Sequence, residues 1–237
     1  MTSTIEPVPG KAPIITIDGP SGSGKGTVSR AVAMRLGWAL LDSGALYRLV
    51  ALAGREAGID LGDAQGLAGL ALGLDIRFGA NSAGEEAVWL AGRDVTRTIR
   101  TESAGNDASK VAALPPVRAA LLERQRRFAV PPGLVADGRD MGTVVFPWAQ
   151  AKIFLTASAD ERALRRYKQL KEKGVTANLA ALSREIAERD QRDMTRAASP
   201  LVASADAALI DTTGFGVTEV IERVLAVVAE RLASGKV

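Results

Sequence analysis

The chain has 237 residues, with 30 Lys and Arg against 27 Asp and Glu, and it contains neither cysteine nor histidine. Their absence excludes disulfides, thiolate nucleophiles, thiolate zinc sites and histidine acid–base catalysis. A net charge of +3 does not by itself indicate nucleic-acid binding. Any chemistry must therefore depend on Asp, Glu, Lys, Arg and backbone N–H groups.

The composition of the N-terminal segment predicts no secretory signal. Residues 1–12 contain Thr, Pro and Gly and lack the apolar stretch of a secretory signal. No later stretch approaches the roughly 18 apolar residues that a membrane-spanning helix needs. We expect a flexible segment over 1–12, followed by one cytoplasmic domain over 13–237 that has no membrane partner.

A glycine-rich segment follows the first predicted strand, residues 14–17. Residues 19–27 read Gly-Pro-Ser-Gly-Ser-Gly-Lys-Gly-Thr. This spacing between a strand and a helix is typical of a phosphate-binding loop, in which backbone N–H groups and the lysine surround an anion. Gly26 stands where a Mg²⁺-binding Ser or Thr is usual and Thr27 follows, which leaves the protein ligand of the metal open. The Gly-Lys-Gly-Thr ending resembles the nucleoside monophosphate kinases.

Strands and helices then alternate, which predicts a parallel sheet. A helix over 28–36 ends at Gly37, and a strand over 38–41 leads into a new helix. Ligands of such sheets bind at the carboxyl ends of the strands. We therefore expect three polar residues on the binding face: Asp42, Ser43 and Arg48.

The pattern changes after a predicted helix over 61–74. Apolar residues alternate with polar ones over 74–78, and turns at 81–84 and 92–94 flank another short apolar run, which indicates a small antiparallel sheet. Two helices follow, over 103–113 and 116–128. The second carries a basic run that we interpret as a solvated face: Arg124, Arg126 and Arg127.

A second polar cluster follows the strand predicted over 134–136, where residues 137–142 read Asp-Gly-Arg-Asp-Met-Gly. Later segments predict strands over 153–155 and 208–210 and helices over 160–173, 179–196 and 217–232. The helix over 160–173 carries six basic residues, which either face solvent or contribute to a catalytic lid: Arg162, Arg165, Arg166, Lys168, Lys171 and Lys173.

Four charged residues share one face of the helix over 179–196. Arg189, Arg192, Asp193 and Arg196 are spaced i, i+3, i+4 and i+7. An isolated Arg–Asp pair at this spacing is usually an exposed ion pair of little energetic value. Three arginines on one face repel one another unless an anion joins them. Together with the phosphate-binding loop, this face favours a site for phosphoryl transfer.

The lack of histidine bears on the acceptor. A phosphate acceptor is largely anionic near neutral pH and needs no general base, whereas a hydroxyl acceptor would prefer a carboxylate such as Asp42, Asp137 or Asp140. A nucleotide acceptor is favoured, and a sugar or shikimate-like acceptor stays open. So does a different class of protein, a nucleotide switch or a nucleic-acid-binding NTPase. Asp137 could orient Arg139 or act next to a metal.

Four segments together resemble the bacterial cytidylate kinases: residues 16–22, 41–48, 137–147 and 188–190. The resemblance extends from about Ile14 to Leu232. It implies an α/β fold, a three-layer P-loop NTPase with a parallel central sheet. It also implies a nucleotide-binding insert with a small antiparallel sheet over about 62–125 and an arginine-rich helical lid over about 160–198. The implied activity is transfer of the γ-phosphoryl group of ATP to CMP or dCMP with Mg²⁺, by a monomer that binds no nucleic acid.

The same resemblance assigns roles to individual residues. ATP would be held by Gly19, Pro20, Ser21, Gly22, Ser23, Gly24, Lys25, Gly26 and Thr27. The acceptor phosphate would be held by Ser43, Arg48, Arg139 and Arg196, the ribose by Arg189 and Asp193, and the base by Ser109, Arg118 and Asp140. Catalysis would depend on Lys25, Arg139, Arg189 and Arg196. No metal ligand is certain, and Thr27 is the candidate.

Asp140 gives a physical reason for base choice. Cytosine has an exocyclic amino group that a carboxylate accepts, whereas uracil has a carbonyl oxygen at that place. With uracil the carboxylate would face lone pairs, and an unpaired buried carboxylate is costly. We therefore expect cytosine to be preferred over uracil.

Overall fold

Residues 12–83, 85–172 and 174–233 are described by the computed structural model. Three sequence-based expectations fall partly outside these ranges: the flexible segment over its residues 1–11, the turn residue Gly84 and the basic residue Lys173. The chain divides into two compact units. The first comprises the residues up to Asp42 and from Gln125 onward, and the second comprises Ser43–Arg124.

Eight strands and eight α-helices make up the described chain. The strands are β1 (Ile14–Asp18), β2 (Ala39–Asp42), β3 (Ile76–Ala80), β4 (Glu86–Leu90), β5 (Arg93–Asp94), β6 (Leu134–Gly138), β7 (Ala151–Thr156) and β8 (Ala208–Asp211). The helices are α1 (Lys25–Leu36), α2 (Ser43–Glu56), α3 (Ala64–Gly73), α4 (Glu102–Val111), α5 (Pro115–Arg126), α6 (Ala159–Glu172), α7 (Leu179–Thr195) and α8 (Val217–Ala233). Within the described ranges, none of these helices is long and apolar enough to cross a membrane.

The first unit contains a five-stranded parallel sheet in the order β2-β6-β1-β7-β8. Its central strand β1 is completely buried, because it lies between β6 and β7 and carries apolar side chains on both faces. Val32 of α1 and Val224 of α8 belong to the same apolar core as Ile15 and Ile17. The predicted α/β fold with a parallel central sheet is confirmed.

The strand register brings three carboxylates to one edge of this sheet. Asp42 of β2 is paired with Asp137 of β6, and Asp18 of β1 is paired with the next residue, Gly138. The carboxyl ends of parallel strands form the usual ligand-binding edge of such a fold.

The helix end predicted at Gly37 is also confirmed. Gly37 follows the last residue of α1 and has a φ of 66°, in the left-handed region.

The second unit contains an antiparallel sheet in the order β3-β4-β5, and the predicted small antiparallel sheet is confirmed. The turn predicted over 92–94 is wrong. Ala91 and Gly92 form the turn, with φ values of 48° and 76°, while Arg93 and Asp94 pair with β4. A two-residue turn with positive φ at both positions matches the twist of a hairpin. Strand β5 therefore begins at Arg93, earlier than its polar residues suggested.

The interpretation of the basic run at the end of α5 as a solvated face is wrong for two of its three residues. Arg124 donates a hydrogen bond to the carbonyl oxygen of Leu74 at 2.8 Å, within the second unit. Arg126 donates to the carbonyl oxygen of Val145 at 3.1 Å, within the first. Arg127 is exposed. A run of charge in the sequence does not reveal which guanidinium groups meet backbone carbonyls.

Candidate active site

The loop between β1 and α1 approaches neighbouring backbone too closely for a side chain at Gly19. A Cβ atom at Gly19, whose φ is 151°, would lie 2.0 Å from the carbonyl oxygen of Leu155. Gly22 and Gly24 have φ values of 78° and 89°, in a region that L-residues rarely adopt. The predicted strand, loop and helix follow one another in the chain as in a phosphate-binding loop.

Lys25 is the first residue of α1 and is almost completely buried. Its Nζ donates a hydrogen bond to the carbonyl oxygen of Pro20 at 3.0 Å. Burial and the nearby guanidinium of Arg139 lower the pKa of Lys25 to about 7, while Asp137 opposes the shift. A bound phosphate would supply a negatively charged partner for this lysine.

Asp137 lies close to the unusual glycine at position 26. A Cβ atom at Gly26 would lie 3.3 Å from Oδ2 of Asp137, which is tighter than most such contacts. A Ser or Thr at this position would require the carboxylate to shift by a few tenths of an ångström. Burial raises the pKa of Asp137 to about 7, with Lys25 acting in the opposite direction. Its Oδ1 is buried and has no hydrogen-bond partner among the described residues.

The predicted cationic residues of the first unit surround one carboxylate, Asp193 of α7. The Nε of Arg139 donates a hydrogen bond to its Oδ2 at 2.9 Å. Burial opposes ionisation of Asp193, but the charges of Arg139, Arg189 and Arg196 hold its pKa below the usual value. Arg189 also acts on Lys25. The structure thus brings together the four residues expected to be catalytic, namely Lys25, Arg139, Arg189 and Arg196.

Asp140 and Arg196 form a second buried contact in this unit. The NH2 group of Arg196 lies 3.8 Å from Oδ1 of Asp140, and both side chains are almost inaccessible to solvent. Arg196 follows the last turn of α7, and its Nε donates to the carbonyl oxygen of Ser199. Arg196 therefore does not continue the helical face that its spacing predicted, yet it reaches the same group of side chains.

The sequence did not distinguish Arg162 of α6 from its basic neighbours, which were expected either to face solvent or to contribute to a catalytic lid. Its guanidinium makes a two-point ion pair with Asp190 of α7, including a 3.0 Å bond from NH1 to Oδ1. The NH1 group also donates to the carbonyl oxygen of Ser21 in the phosphate-binding loop at 3.0 Å. The spacing of basic residues on α6 gave no signal that would separate Arg162 from its neighbours. Asp190 lies within one of the segments that carried the family resemblance.

The remaining predicted acceptor residues belong to the second unit. Arg48 of α2 donates to the carbonyl oxygens of Ile99 at 2.6 Å and Thr101 at 3.1 Å. Arg118 of α5 donates to the carbonyl oxygen of Ala112 at 3.0 Å, and its guanidinium lies 5.6 Å from the ring centre of Tyr47. These contacts orient two buried or half-buried cations within the unit. Two buried hydroxyl residues of the same unit complete the predicted set: Ser43 and Ser109.

Comparisons with known proteins identify the family. The family model described as cytidylate kinase matches residues 15–230. The cytidylate kinase of Shewanella loihica is 56% identical over 94% of this chain and 96% of its own length. Those of Stutzerimonas stutzeri and Colwellia psychrerythraea are each 57% identical, over 98% and 90% of this chain and 100% and 94% of their own lengths. The chain therefore belongs to the cytidylate kinase family.

Proposed function

We propose that the protein transfers the γ-phosphoryl group of ATP to CMP or dCMP, giving ADP and CDP or dCDP. The observation that carries this proposal is the group of cations around Asp193, where Lys25 of the phosphate-binding loop is close enough to Arg139 and Arg189 for their charges to lower its pKa. Like charges held together under burial are stabilised by a bound anion. Phosphoryl transfer requires such charge around the migrating group.

On the donor side, the phosphates of ATP would lie against the backbone N–H groups of residues 19–27 and the Nζ of Lys25. The positive φ angles of Gly22 and Gly24 support this role, because they allow successive N–H groups to face one anion. Lys25 would exchange its bond to the Pro20 carbonyl oxygen for a phosphate oxygen. This exchange replaces a neutral acceptor by a charged one.

On the acceptor side, the CMP phosphate would be bound by the four residues that the family resemblance implies for this role: Ser43, Arg48, Arg139 and Arg196. Bidentate guanidinium groups suit a phosphate that must be held in one orientation. The ribose would be bound by Arg189 and Asp193, and the base by Ser109, Arg118 and Asp140. Support for the last role comes from the burial of all three side chains.

In the reaction, an oxygen of the CMP phosphate forms a bond to the γ-phosphorus of ATP. The bond between that phosphorus and the oxygen bridging to the β-phosphate breaks, and its electron pair stays on ADP. The acceptor oxygen is already anionic, so no side chain has to remove a proton. Lys25, Arg139 and Arg189 would offset the charge on the transferring group.

Mg²⁺ is expected with ATP, and one carboxylate of the site fits it. Mg²⁺ in kinases is held largely by water and substrate phosphates, with one or two protein oxygens. The buried Oδ1 of Asp137, which has no described hydrogen-bond partner, is such an oxygen. Thr27, the candidate from the sequence, is exposed. When bound, the metal would neutralise charge on the outer phosphates, and we infer that Asp137 holds it directly or through water.

The proposal is tested by identifying the products. Purified protein is incubated with ATP, Mg²⁺ and CMP, and the nucleotides are separated by anion-exchange chromatography. We expect ADP and CDP to form in equal amounts. Formation of ADP and free phosphate, with CMP unchanged, would contradict the proposed transfer. Lys25→Met serves as the inactive control, because it removes the mobile charge from the loop.

A further inference from the structure

A single π-helical turn, Met141–Val145, directly follows Arg139 and Asp140. The N–H groups of Val144 and Val145 both donate to the carbonyl oxygen of Asp140, at 2.9 and 3.2 Å. Turns of this kind are rare and often occur at functional sites. Since Asp140 closes the first ring of the turn, the position of the turn sets the position of Asp140.

The N-terminal end of this turn is held by Asp18. The N–H groups of Met141 and Gly142 donate to its two carboxylate oxygens, each at 2.8 Å. Burial raises the pKa of Asp18 to about 6, while these two N–H groups oppose the shift, so the carboxylate is ionised near neutral pH. Asp18 is the last residue of β1 and is followed directly by Gly19 of the phosphate-binding loop.

The backbone at Gly142 fits closely against β1. A Cβ atom at this position would lie 2.8 Å from Oγ1 of Thr16 and 3.4 Å from Oδ2 of Asp18. A side chain would therefore push the turn away from β1 and lengthen both hydrogen bonds to Asp18. The absence of a Cβ atom at Gly142, rather than the flexibility of glycine, allows this contact between the turn and the strand.

The C-terminal end of the turn is held by Arg126. Its Nε donates to the carbonyl oxygen of Val145 at 3.1 Å, and its NH2 group donates to that of Val144 at 3.4 Å. The guanidinium lies 5.1 Å from the ring centre of Trp148, a geometry that favours a cation over an aromatic face. A carboxylate at the start and a guanidinium at the end match the charges of the backbone dipoles of the turn.

We propose that Asp18 and Arg126 are positioning residues for acceptor recognition, which act by holding the two ends of the turn that follows Arg139 and Asp140. Asp18 also ties this turn to the strand that leads into the phosphate-binding loop. One carboxylate thereby links the donor-binding loop to the segment that binds the acceptor. This inference rests on the proposed function, in which Asp140 binds cytosine and Arg139 binds the CMP phosphate.

The test separates acceptor recognition from ATP binding. In Asp18→Asn the side chain keeps its size, but an amide N–H group replaces one of the two oxygens that accept from Met141 and Gly142. We expect the KM for CMP to rise about tenfold, with the dissociation constant of ATP, measured without CMP, within about threefold of wild type. Arg126→Gln, which changes the other end of the turn, is expected to give the same pattern.

Thr16→Val is the matched control. Thr16 lies on the same strand two residues before Asp18, its buried Oγ1 has no described hydrogen-bond partner, and it faces Gly142. Valine has nearly the same shape, so both constants should stay close to wild type. The thermal unfolding midpoint of each variant shows whether the fold has been retained.

Different results would overturn different conclusions. A normal KM for CMP in folded Asp18→Asn or Arg126→Gln, or equal rises in the CMP and ATP constants, would overturn the inference while leaving the CMP kinase activity of the wild type in place. Absence of CMP-dependent ADP release by the wild-type protein would overturn the proposed function, and the inference with it.

Discussion

The Nε of Arg139 donates a 2.9 Å hydrogen bond to Oδ2 of Asp193, which joins the segment after β6 to α7. The side chain of Asp193 is 6% exposed and that of Arg139 is 17% exposed, so water screens this pair only weakly. Arg189 and Arg196 act on the same carboxylate. Asp193 therefore keeps three guanidinium groups together before an anionic substrate arrives.

Replacing Asp193 by Asn should weaken acceptor binding and destabilise the fold. The amide cannot offset three guanidinium groups, so we expect the KM for CMP to rise and the unfolding free energy near pH 7 to fall by about 3 kcal/mol. Glu188→Gln changes an exposed carboxylate on the same helix and serves as the control. Equal behaviour of the two variants in urea unfolding would contradict this role.

The stability effect of Asp193 should depend on pH in a defined direction. The pKa of Asp193 is lowered in the folded protein, so the ionised group stabilises the fold above its unfolded pKa, and this contribution is lost as pH falls through the folded pKa. The difference in unfolding free energy between wild type and Asp193→Asn should therefore stay constant from about pH 7 to about pH 5 and shrink as the pH falls below about 4. A difference that grows towards acid pH would show that the sign is wrong.

Replacing Arg162 by Lys should impair ATP binding. Lysine keeps the charge but cannot reproduce the two-point pair with Asp190 together with the bond to the Ser21 carbonyl oxygen. We expect a raised KM for ATP and a lower thermal unfolding midpoint. Arg184→Lys, at an exposed position on α7, is the matched control. If both substitutions leave these quantities at wild-type values, Arg162 does not support the phosphate-binding loop.

ATP binding should be accompanied by proton uptake at Lys25. The pKa of this lysine is lowered to about 7 in the free protein, chiefly by burial, so much of it is neutral at about pH 8. Bound phosphates favour the charged form and would restore the proton. Calorimetric titrations with ATP in buffers of different ionisation enthalpy should detect this uptake at about pH 8 and little of it near pH 6.

The variant Lys25→Met provides the comparison for that titration. It removes the titrating group, and any proton exchange that remains belongs to other groups or to ATP itself. Omitting Mg²⁺ removes any proton release that metal binding at Asp137 would cause. The same proton uptake in wild type and variant would rule out Lys25 as its source.

Replacing Asp137 by Asn should raise the Mg²⁺ concentration needed for half-maximal turnover. The amide oxygen is a weaker ligand for a hard cation than the buried carboxylate, whose Oδ1 has no described partner. Thr27→Ala, at the exposed position expected from the sequence, should change this requirement less. A larger effect of Thr27→Ala than of Asp137→Asn would indicate that Thr27, and not Asp137, is the metal ligand.

The regular elements of the fold were predictable because their signals are local. The β-branched residues of β1 predicted a buried strand, and the glycine after α1 predicted a left-handed helix end. The structure contains both. The short strand β5 was missed because Arg93 and Asp94 are polar residues that resemble a turn. Their pairing with β4 depends on the backbone of Ala91 and Gly92, which periodicity does not reveal.

Residues of the candidate site could be predicted where a sequence motif indicates the chemistry. They could not be predicted where side chains from distant segments meet in the fold. Lys25 was predicted from the loop motif, and Arg189 and Arg196 were predicted from one helical face. The role of Arg139 was implied only by the family resemblance.

The contacts of Asp18, Arg126 and Arg162 could not be predicted from any motif, because each contact joins separate segments of the chain. The π-helical turn has no periodic signal of its own, since it consists of a single turn.

The most direct test of the proposed activity compares acceptors. Initial rates of ADP release are measured with ATP and Mg²⁺ and with CMP, dCMP, UMP, AMP or shikimate, each corrected for release without an acceptor. We predict strong release with CMP and dCMP and weak release with UMP, because Asp140 would meet the cytosine amino group and find no donor on uracil. Release no greater with CMP than without an acceptor would contradict the account.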